Sequence, residues 1–235
     1  MAELRQVQVD IQQPGGIREL VQREAGDQVR GQDSFPGPDI RRVYQEVRYE
    51  RRGKLICLIM AGGLGSRMNR PEKALIEVHG EALVDRTIRC MNGICSDIYA
   101  LIDPSMERLQ GKLRSVNVKV LAKRRGGYIE DLNHAMHSIG KFPILVIPGD
   151  IFIFNCSAFL DAVRRGMLAE ANVVSFTDAG QYTGISIFNA QSGSYQDIDL
   201  NGSVANINTP EDLRAVIERL RTSEKLDGSA GHADG

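Results

Sequence analysis

The segment Leu58-Ile59-Met60-Ala61-Gly62-Gly63-Leu64-Gly65-Ser66-Arg67-Met68 starts as an apolar run, passes into a glycine-rich turn and ends on a cation. A second cation follows in Pro71-Glu72-Lys73-Ala74-Leu75. Positions without side chains let backbone N–H groups close around a polyphosphate, and Arg67 and Lys73 supply positive charge beside it. This combination reads as a nucleoside triphosphate site at the end of a buried strand. Three glycines, an Arg and a Lys are more than a plain strand-to-helix turn requires.

What the segment lacks narrows the fold. A Walker A loop needs Gly-Lys-Ser/Thr, and Gly65 is followed instead by Ser66-Arg67. A dinucleotide fingerprint needs a third glycine where Met68 stands, and an acidic residue further on after a strand. The pattern Ala-Gly-Gly-x-Gly-Ser-Arg-Met with a downstream Lys resembles the signature of the Rossmann-like nucleotidyltransferases, which join a nucleoside monophosphate unit to a phosphorylated acceptor.

The surrounding chain fits an α/β domain. Leu55 to Ala61 reads as a buried strand, followed by a helix over 83–91, a strand over 98–102 and a helix over 107–114. A strand over 116–122 and a helix over 128–138 come next, then the near-continuous apolar run Phe142 to Pro148, whose end carries Gly149-Asp150. Beyond it a helix is expected over 158–168, strands over 173–176 and 183–188, and a helix over 210–220. Such alternation implies a mostly parallel sheet with helices on both faces and ligands beyond the carboxyl ends of its strands. The closing helix has a marked start. Asn208 or Thr209 can cap it, Pro210 suits its first position, and Glu211-Asp212 favour the positive end of its dipole.

The chain divides into a Gln-rich, Pro-interrupted arm over 1–53, expected to be loosely ordered, a nucleotidyltransferase domain over 54–221, and a disordered tail over 222–235. The 235 residues carry a formal net charge of −1, which argues against a general nucleic-acid binder and for small-molecule partners. No run approaches the roughly 20 apolar residues of a membrane span, and Met1 to Arg5 lacks the apolar stretch of a secretory signal, so a cytoplasmic protein is expected. Cys57, Cys90, Cys95 and Cys156 have no Cys-x-x-Cys spacing and read as reduced structural thiols. A metal site on Cys90 and Cys95, or on His134 and His137 one helical turn apart, has no further ligand nearby. His79 reads as a turn residue.

Nucleotidyl transfer asks for positioned charge more than covalent chemistry, and Mg2+ is its usual source. Magnesium takes oxygen ligands and keeps several waters, so one or two side chains suffice. Asp150, a carboxylate directly after an apolar strand, is the leading ligand. In the superfamily a similar Asp/Asn-Thr-Pro-Glu-Asp-Leu segment brings a second oxygen, which maps onto Asn208; a helix cap is the alternative role for Asn208, and Asn206 is a weaker substitute. The third βα unit reaches over the nucleoside in this fold and here reads Arg124-Arg125-Gly126-Gly127-Tyr128-Ile129-Glu130-Asp131-Leu132-Asn133. A carboxylate accepts from both N–H donors on the guanine edge, and Glu130 or Asp131 meets that demand; both also suit a helix N-terminus without any ligand.

The glycine loop, Glu72-Lys73, Gly127 to Asn133 and Asn206-Ile207-Asn208-Thr209 together resemble the archaeal GTP:adenosylcobinamide-phosphate guanylyltransferases, over roughly residues 55–220. The resemblance implies transfer of GMP from GTP to adenosylcobinamide phosphate in coenzyme B12 assembly. It implies a nucleotide site built from Ala61, Gly62, Gly63, Gly65, Ser66, Arg67, Lys73, Gly127, Glu130 and Asp131. Arg67 and Lys73 would be catalytic groups on the triphosphate, Asp150 and Asn208 would hold Mg2+, and Gly184 would lie on the acceptor side, where a side chain would crowd the site. A molybdenum-cofactor guanylyltransferase and a sugar-1-phosphate nucleotidyltransferase are the alternatives within enzymes. A non-catalytic GTP-binding regulator is disfavoured, because Arg67, Lys73 and Asp150 are all present.

Overall fold

A computed structural model describes residues 54–63 and 72–230, with side chains to Ser223. The N-terminal arm (1–53), residues 64–71 and the last part of the expected tail (231–235) lie outside the described residues. Strand β1 (Leu55–Met60) is buried along nearly its whole length and runs through the middle of a seven-stranded sheet. It pairs in parallel with β4 (Cys95–Ile102) on one side and β6 (Ile144–Pro148) on the other. Strand β5 (Lys119–Ala122) extends the parallel set beyond β4. On the far side of β6 come β9 (Gln181–Phe188), β8 (Val173–Asp178) and β10 (Tyr195–Asp199), giving the order β10-β8-β9-β6-β1-β4-β5.

Strand β9 runs antiparallel to both its neighbours. The cause is the two-residue turn Ala179-Gly180 between β8 and β9: both residues have positive φ, 49° and 76°, the geometry of a tight hairpin whose twist matches its strands. A second hairpin joins β2 (Glu77–Val78) to β3 (Glu81–Ala82) through His79 and Gly80, again at positive φ, which makes His79 a turn residue. A separate ribbon pairs β7 (Ile151–Ile153) with β11 (Val204–Asn206) in antiparallel register, Asn206 opposite Ile151.

Helices cover the sheet unequally. Leu132, Ala135, Met136 and Ile139 of α3 (Tyr128–Ile139) pack on Ile56, Leu58, Leu101, Ile144 and Val146 from one face. The larger core, on the other face, is closed by α1 (Leu83–Met91), α2 (Glu107–Ser115) and α4 (Cys156–Leu168), with Leu109, Leu113, Phe159 and Val163 fully buried. A third cluster joins Ile76, Val78, Phe152 and Ile207 to Val216 of α5 (Pro210–Ala230), so the closing helix is anchored on the two small ribbons.

Two expectations change here. The closing helix runs to Ala230 instead of ending at Leu220, since Glu224-Lys225-Leu226 are good helix formers with no breaker before Gly228. Cys90 and Cys156 are bonded to each other, which corrects the expectation of four reduced thiols. The packing of α1 against α4 brings their Cα atoms to 5.3 Å across 66 residues of sequence, a proximity that spacing cannot reveal. Cys57 and Cys95 remain free. A hydrogen bond with Cys95, together with burial, pushes the Cys57 thiol well above its ordinary value and leaves it a small core hydrophobe. Among the described residues no helix is long and apolar enough to cross a membrane.

Candidate active site at the carboxyl ends of the parallel strands

The site begins where β1 leaves the sheet. The Ala61 N–H still donates to the Leu101 carbonyl (2.9 Å), and the chain then opens into Gly62 and Gly63. Gly62 passes over the exit of β4, where a Cβ would rest in ordinary contact, 3.6 Å from the Asp103 nitrogen, whereas a Cβ on Gly63 would meet open space. Gly65, Ser66 and Arg67 lie outside the described residues. On the other side, the Gly149 N–H donates to the Met60 carbonyl (2.9 Å), and a Cβ on Gly149 would stand only 2.8 Å from that of Ala61. The glycine turn and the Asp150 strand end are therefore pressed together.

Lys73 returns to this point in a single 3-10 turn, Lys73–Leu75, pinned by the buried Ala74. Before it, the Glu72 carboxylate accepts from the Leu109 N–H (2.9 Å) at the start of α2, a helix whose own N-cap position, Met106, offers no side-chain acceptor. Glu72 thereby serves an orphan donor of α2 and fixes the backbone that carries Lys73. The Lys73 ammonium donates to Asp150 Oδ2 (3.1 Å), the Ile207 carbonyl (3.4 Å) and Asn208 Oδ1 (3.4 Å). Lysine and aspartate are mostly buried, with side chains 14% and 22% exposed.

Asp150 and Asn208 meet because of the β7–β11 ribbon. Its register ends with the Ile207 N–H donating to the Asp150 carbonyl (2.8 Å), and the next residue is Asn208. The helix cap belongs to Thr209 instead. The Thr209 hydroxyl accepts from the Asp212 N–H (3.2 Å), and the Asp212 carboxylate accepts in return from the N–H groups of Thr209 (2.8 Å) and Asn208 (2.9 Å), a reciprocal capping box. Burial alone would raise the Asp212 carboxyl, but these bonds, with the nearby Lys73 charge, hold it below its ordinary value. The Asn208 side chain is left facing Lys73 and Asp150. Asn206, the weaker candidate, donates to the Thr183 carbonyl (3.0 Å) and ties the ribbon to β9.

The third βα unit closes the other side. Asp103, at the exit of β4, accepts from the hydroxyl and N–H of Ser105 and from the Arg125 N–H (3.2 Å), which lower its carboxyl and hold the loop after β5 beside Gly62. Gly127 has φ 129°, a conformation side chains rarely adopt, and a Cβ on Gly126 would overlap the Glu130 carboxylate. The two candidate base readers differ. Asp131 is nearly buried, its Oδ1 accepting from Lys123 Nζ (2.7 Å) and the Gly126 N–H (3.1 Å), so it is committed to holding the turn. Glu130 pairs with the same lysine (2.9 Å) while its side chain stays 64% exposed at the mouth of the site. Asp131 and then Glu130 raise the Lys123 ammonium above the ordinary lysine value. Gly184 lies on β9 beside Pro148, the residue before Gly149-Asp150. It has φ 78°, and its Cβ would come within 3.0 Å of the proline ring, so backbone conformation and this contact both favour glycine there.

Sequence reasoning passed over Lys123 and the Ile207 carbonyl. Lys123 had one legible signal, a cation at the end of a strand followed by two acids in the first turn of the next helix. A backbone carbonyl has none. The three oxygens around Lys73 are all hard donors, a set that suits Mg2+ and not a thiolate- or imidazole-seeking metal. Among the described residues no cluster of three or more His, Cys, Asp or Glu side chains forms a metal site, so an ion here would rely on an amide and a carbonyl oxygen beside one carboxylate.

Comparison with known proteins places the fold and the family. The chain is similar to the adenosylcobinamide-phosphate guanylyltransferase of Methanocaldococcus jannaschii, 34% identical over 103 residues, covering 40% of this chain and 51% of that protein. It is also similar to a molybdenum cofactor guanylyltransferase of a Shewanella species, 26% identical over 132 residues, covering 54% of this chain and 63% of that one. The matches thus span about half to under two thirds of these relatives. Among solved structures, the CTP:phosphocholine cytidylyltransferase LicC of Streptococcus pneumoniae superposes with a TM-score of 0.56 at 13% identity, covering 72% of this chain and 100% of that one. The inositol-1-phosphate CTP transferase of T. maritima gives 0.55 at 14% identity, covering 71% and 95%. At such identities the structures speak for the fold alone. The model of the MobA-like NTP transferase domain matches residues 57–226, a span that takes in the glycine turn, Lys73, Asp150 and Asn208, and the chain belongs to that family of nucleotidyltransferases.

Proposed function

We propose that the protein transfers GMP from GTP to adenosylcobinamide phosphate, giving adenosylcobinamide-GDP and pyrophosphate. The observation that carries this reading is the 34% identity to a guanylyltransferase of that specificity, taken with the segment Gly-Tyr-Ile-Glu-Asp-Leu-Asn at the third βα unit. The two relatives matched by sequence, from Methanocaldococcus jannaschii and a Shewanella species, are guanylyltransferases, which supports GTP as the donor. The exposed Glu130 carboxylate supplies an acceptor for the two N–H donors on the guanine edge, while Asp131 and Lys123 hold the turn beneath it.

In the reaction an oxygen of the acceptor phosphate forms a bond to the α-phosphorus, and the bond from that phosphorus to the bridging oxygen breaks as pyrophosphate leaves. Lys73 and Arg67 neutralise charge on the triphosphate, and the backbone N–H groups of the Ala61 to Ser66 turn orient it. Asp150 and Asn208 would hold Mg2+, which would supply further positive charge at the phosphates. Gly184, at φ 78° beside Pro148, would lie on the acceptor side.

The test is to incubate the full chain and Mg2+ with each NTP in turn, offering adenosylcobinamide phosphate, molybdopterin or a sugar phosphate, and to follow pyrophosphate release. Release with GTP and the corrinoid alone is expected. Release driven by a sugar phosphate or by molybdopterin would replace the proposed acceptor.

A further inference from the structure

Three oxygens from two distant parts of the chain, Asp150 Oδ2, the Ile207 carbonyl and Asn208 Oδ1, converge on one cation, and that cation is the Lys73 ammonium. Distances of 3.1, 3.4 and 3.4 Å sit at and beyond the long end of good N–H···O bonds, so the ammonium rests in the cage loosely. The lysine is tethered by the anchored turn Lys73–Leu75, yet its four-carbon stem is flexible enough to redirect the charge. The cage holds one carboxylate of its own, because Asp212 is occupied with the N–H groups of Asn208 and Thr209. A lone carboxylate balances one ammonium; it cannot also accommodate a divalent ion while that ammonium stays in a mostly buried site.

We propose that Lys73 is a resident stand-in for the metal: it fills the Asp150–Ile207–Asn208 cage in the free protein, and a divalent cation entering the cage displaces its ammonium toward the triphosphate. This rests on the metal role proposed above for Asp150 and Asn208. The arrangement keeps the cage neutral when no substrate is present. Metal entry then adds two positive charges and frees a third, so the site becomes more attractive to a polyphosphate once the metal is in place. By linkage, a bound polyphosphate that holds Lys73 strengthens the metal site in return.

The experiment is Mn2+ binding to the full chain without nucleotide, by electron paramagnetic resonance of the free ion and by calorimetry. Wild type is compared with Lys73→Met, Lys73→Gln, Lys73→Arg and Asp150→Asn, each checked for folding by circular dichroism. Removing the competing charge should tighten Mn2+ binding by about ten-fold or more in Lys73→Met and Lys73→Gln, with Lys73→Arg remaining close to wild type. Equal or weaker binding in Lys73→Met and Lys73→Gln, with Asp150→Asn still abolishing it, would refute the exchange and leave the metal site standing. Binding that survives unchanged in Asp150→Asn would remove the metal role itself, and the exchange with it.

Discussion

Gly149→Ala and Gly111→Ala make the same chemical change and should shift stability in opposite directions. At Gly149 the added Cβ would stand 2.8 Å from the Cβ of Ala61, 3.0 Å from its Cα and 3.3 Å from the Met60 carbonyl oxygen. Carbon atoms pack best at roughly 3.5–4.0 Å, so the strands must part by about 0.7–1.2 Å. Ala61 cannot yield freely, because it is buried and its N–H is bonded to Leu101 across the sheet. Overpacking of this kind costs about 1–3 kcal/mol, against a gain of about 0.4–1 kcal/mol from the stiffer unfolded chain, leaving a net loss of about 1–2 kcal/mol. For a domain of this size that lowers Tm by roughly 2–8 °C. A shift near 1 Å between the glycine turn and Asp150 should also cost on the order of 100-fold in nucleotidyl transfer. At Gly111, inside α2 and exposed, nothing lies within 4 Å of the new Cβ, and better helix propensity should stabilise by about 0.5–1 kcal/mol with activity unchanged. Circular dichroism melts and pyrophosphate release on the full chain read both effects. If Gly149→Ala melted with wild type and turned over normally, the close approach of the two strand ends and its catalytic importance would both be wrong.

Removing the capping box with Asp212→Ala should cost about 1–2 kcal/mol in urea denaturation, since two N–H donors lose their acceptor. Because the folded Asp212 carboxyl is held below its unfolded value, its contribution is present above roughly pH 4 and is lost as pH falls through the folded value; Asp212→Asn should flatten that acid limb, and an unchanged limb would refute the assignment. Phe159→Ala, at a fully buried position in the larger core, should destabilise by about 3–5 kcal/mol in the same assay. Glu130→Ala should raise KM for GTP with an unchanged melt, whereas Asp131→Ala should lower stability by about 1–3 kcal/mol by leaving the Gly126 N–H without its acceptor and Lys123 without its shorter ion pair. The reverse pattern would exchange the roles of the two acids.

Legibility in the sequence followed how local each signal was. Strands β1 and β6 were readable because burial on both faces makes them continuous apolar runs, and the helix over Leu83–Met91 because its buried residues recur at helical spacing. Asp150 stood out as a charge directly after such a run. The antiparallel turn of β9 was missed because Ala179-Gly180 lacks the Asn-Gly or Asp-Gly that usually announces a hairpin, although Gly180 supplied half of the required geometry. Strand β7 was missed because only Gly149 and Asp150 separate it from β6, too little for the eye to divide one apolar stretch into two. That omission matters most for function. Without β7 there is no ribbon with β11, and without the ribbon nothing in the residues themselves brings Asn208 to Asp150 across the intervening sequence; only the family resemblance did so. The cap shows the same logic in reverse. Asn208 and Thr209 were equal candidates from their chemistry, and what separates them is the position of Asp212, whose carboxylate accepts from both N–H groups but whose own N–H donates only to the Thr209 hydroxyl. The hydroxyl of Thr209 is thus used up by the helix, and the amide of Asn208 is the group left free to turn toward Lys73, so the helix start does more than end a loop: it selects which of two neighbouring polar side chains faces the site.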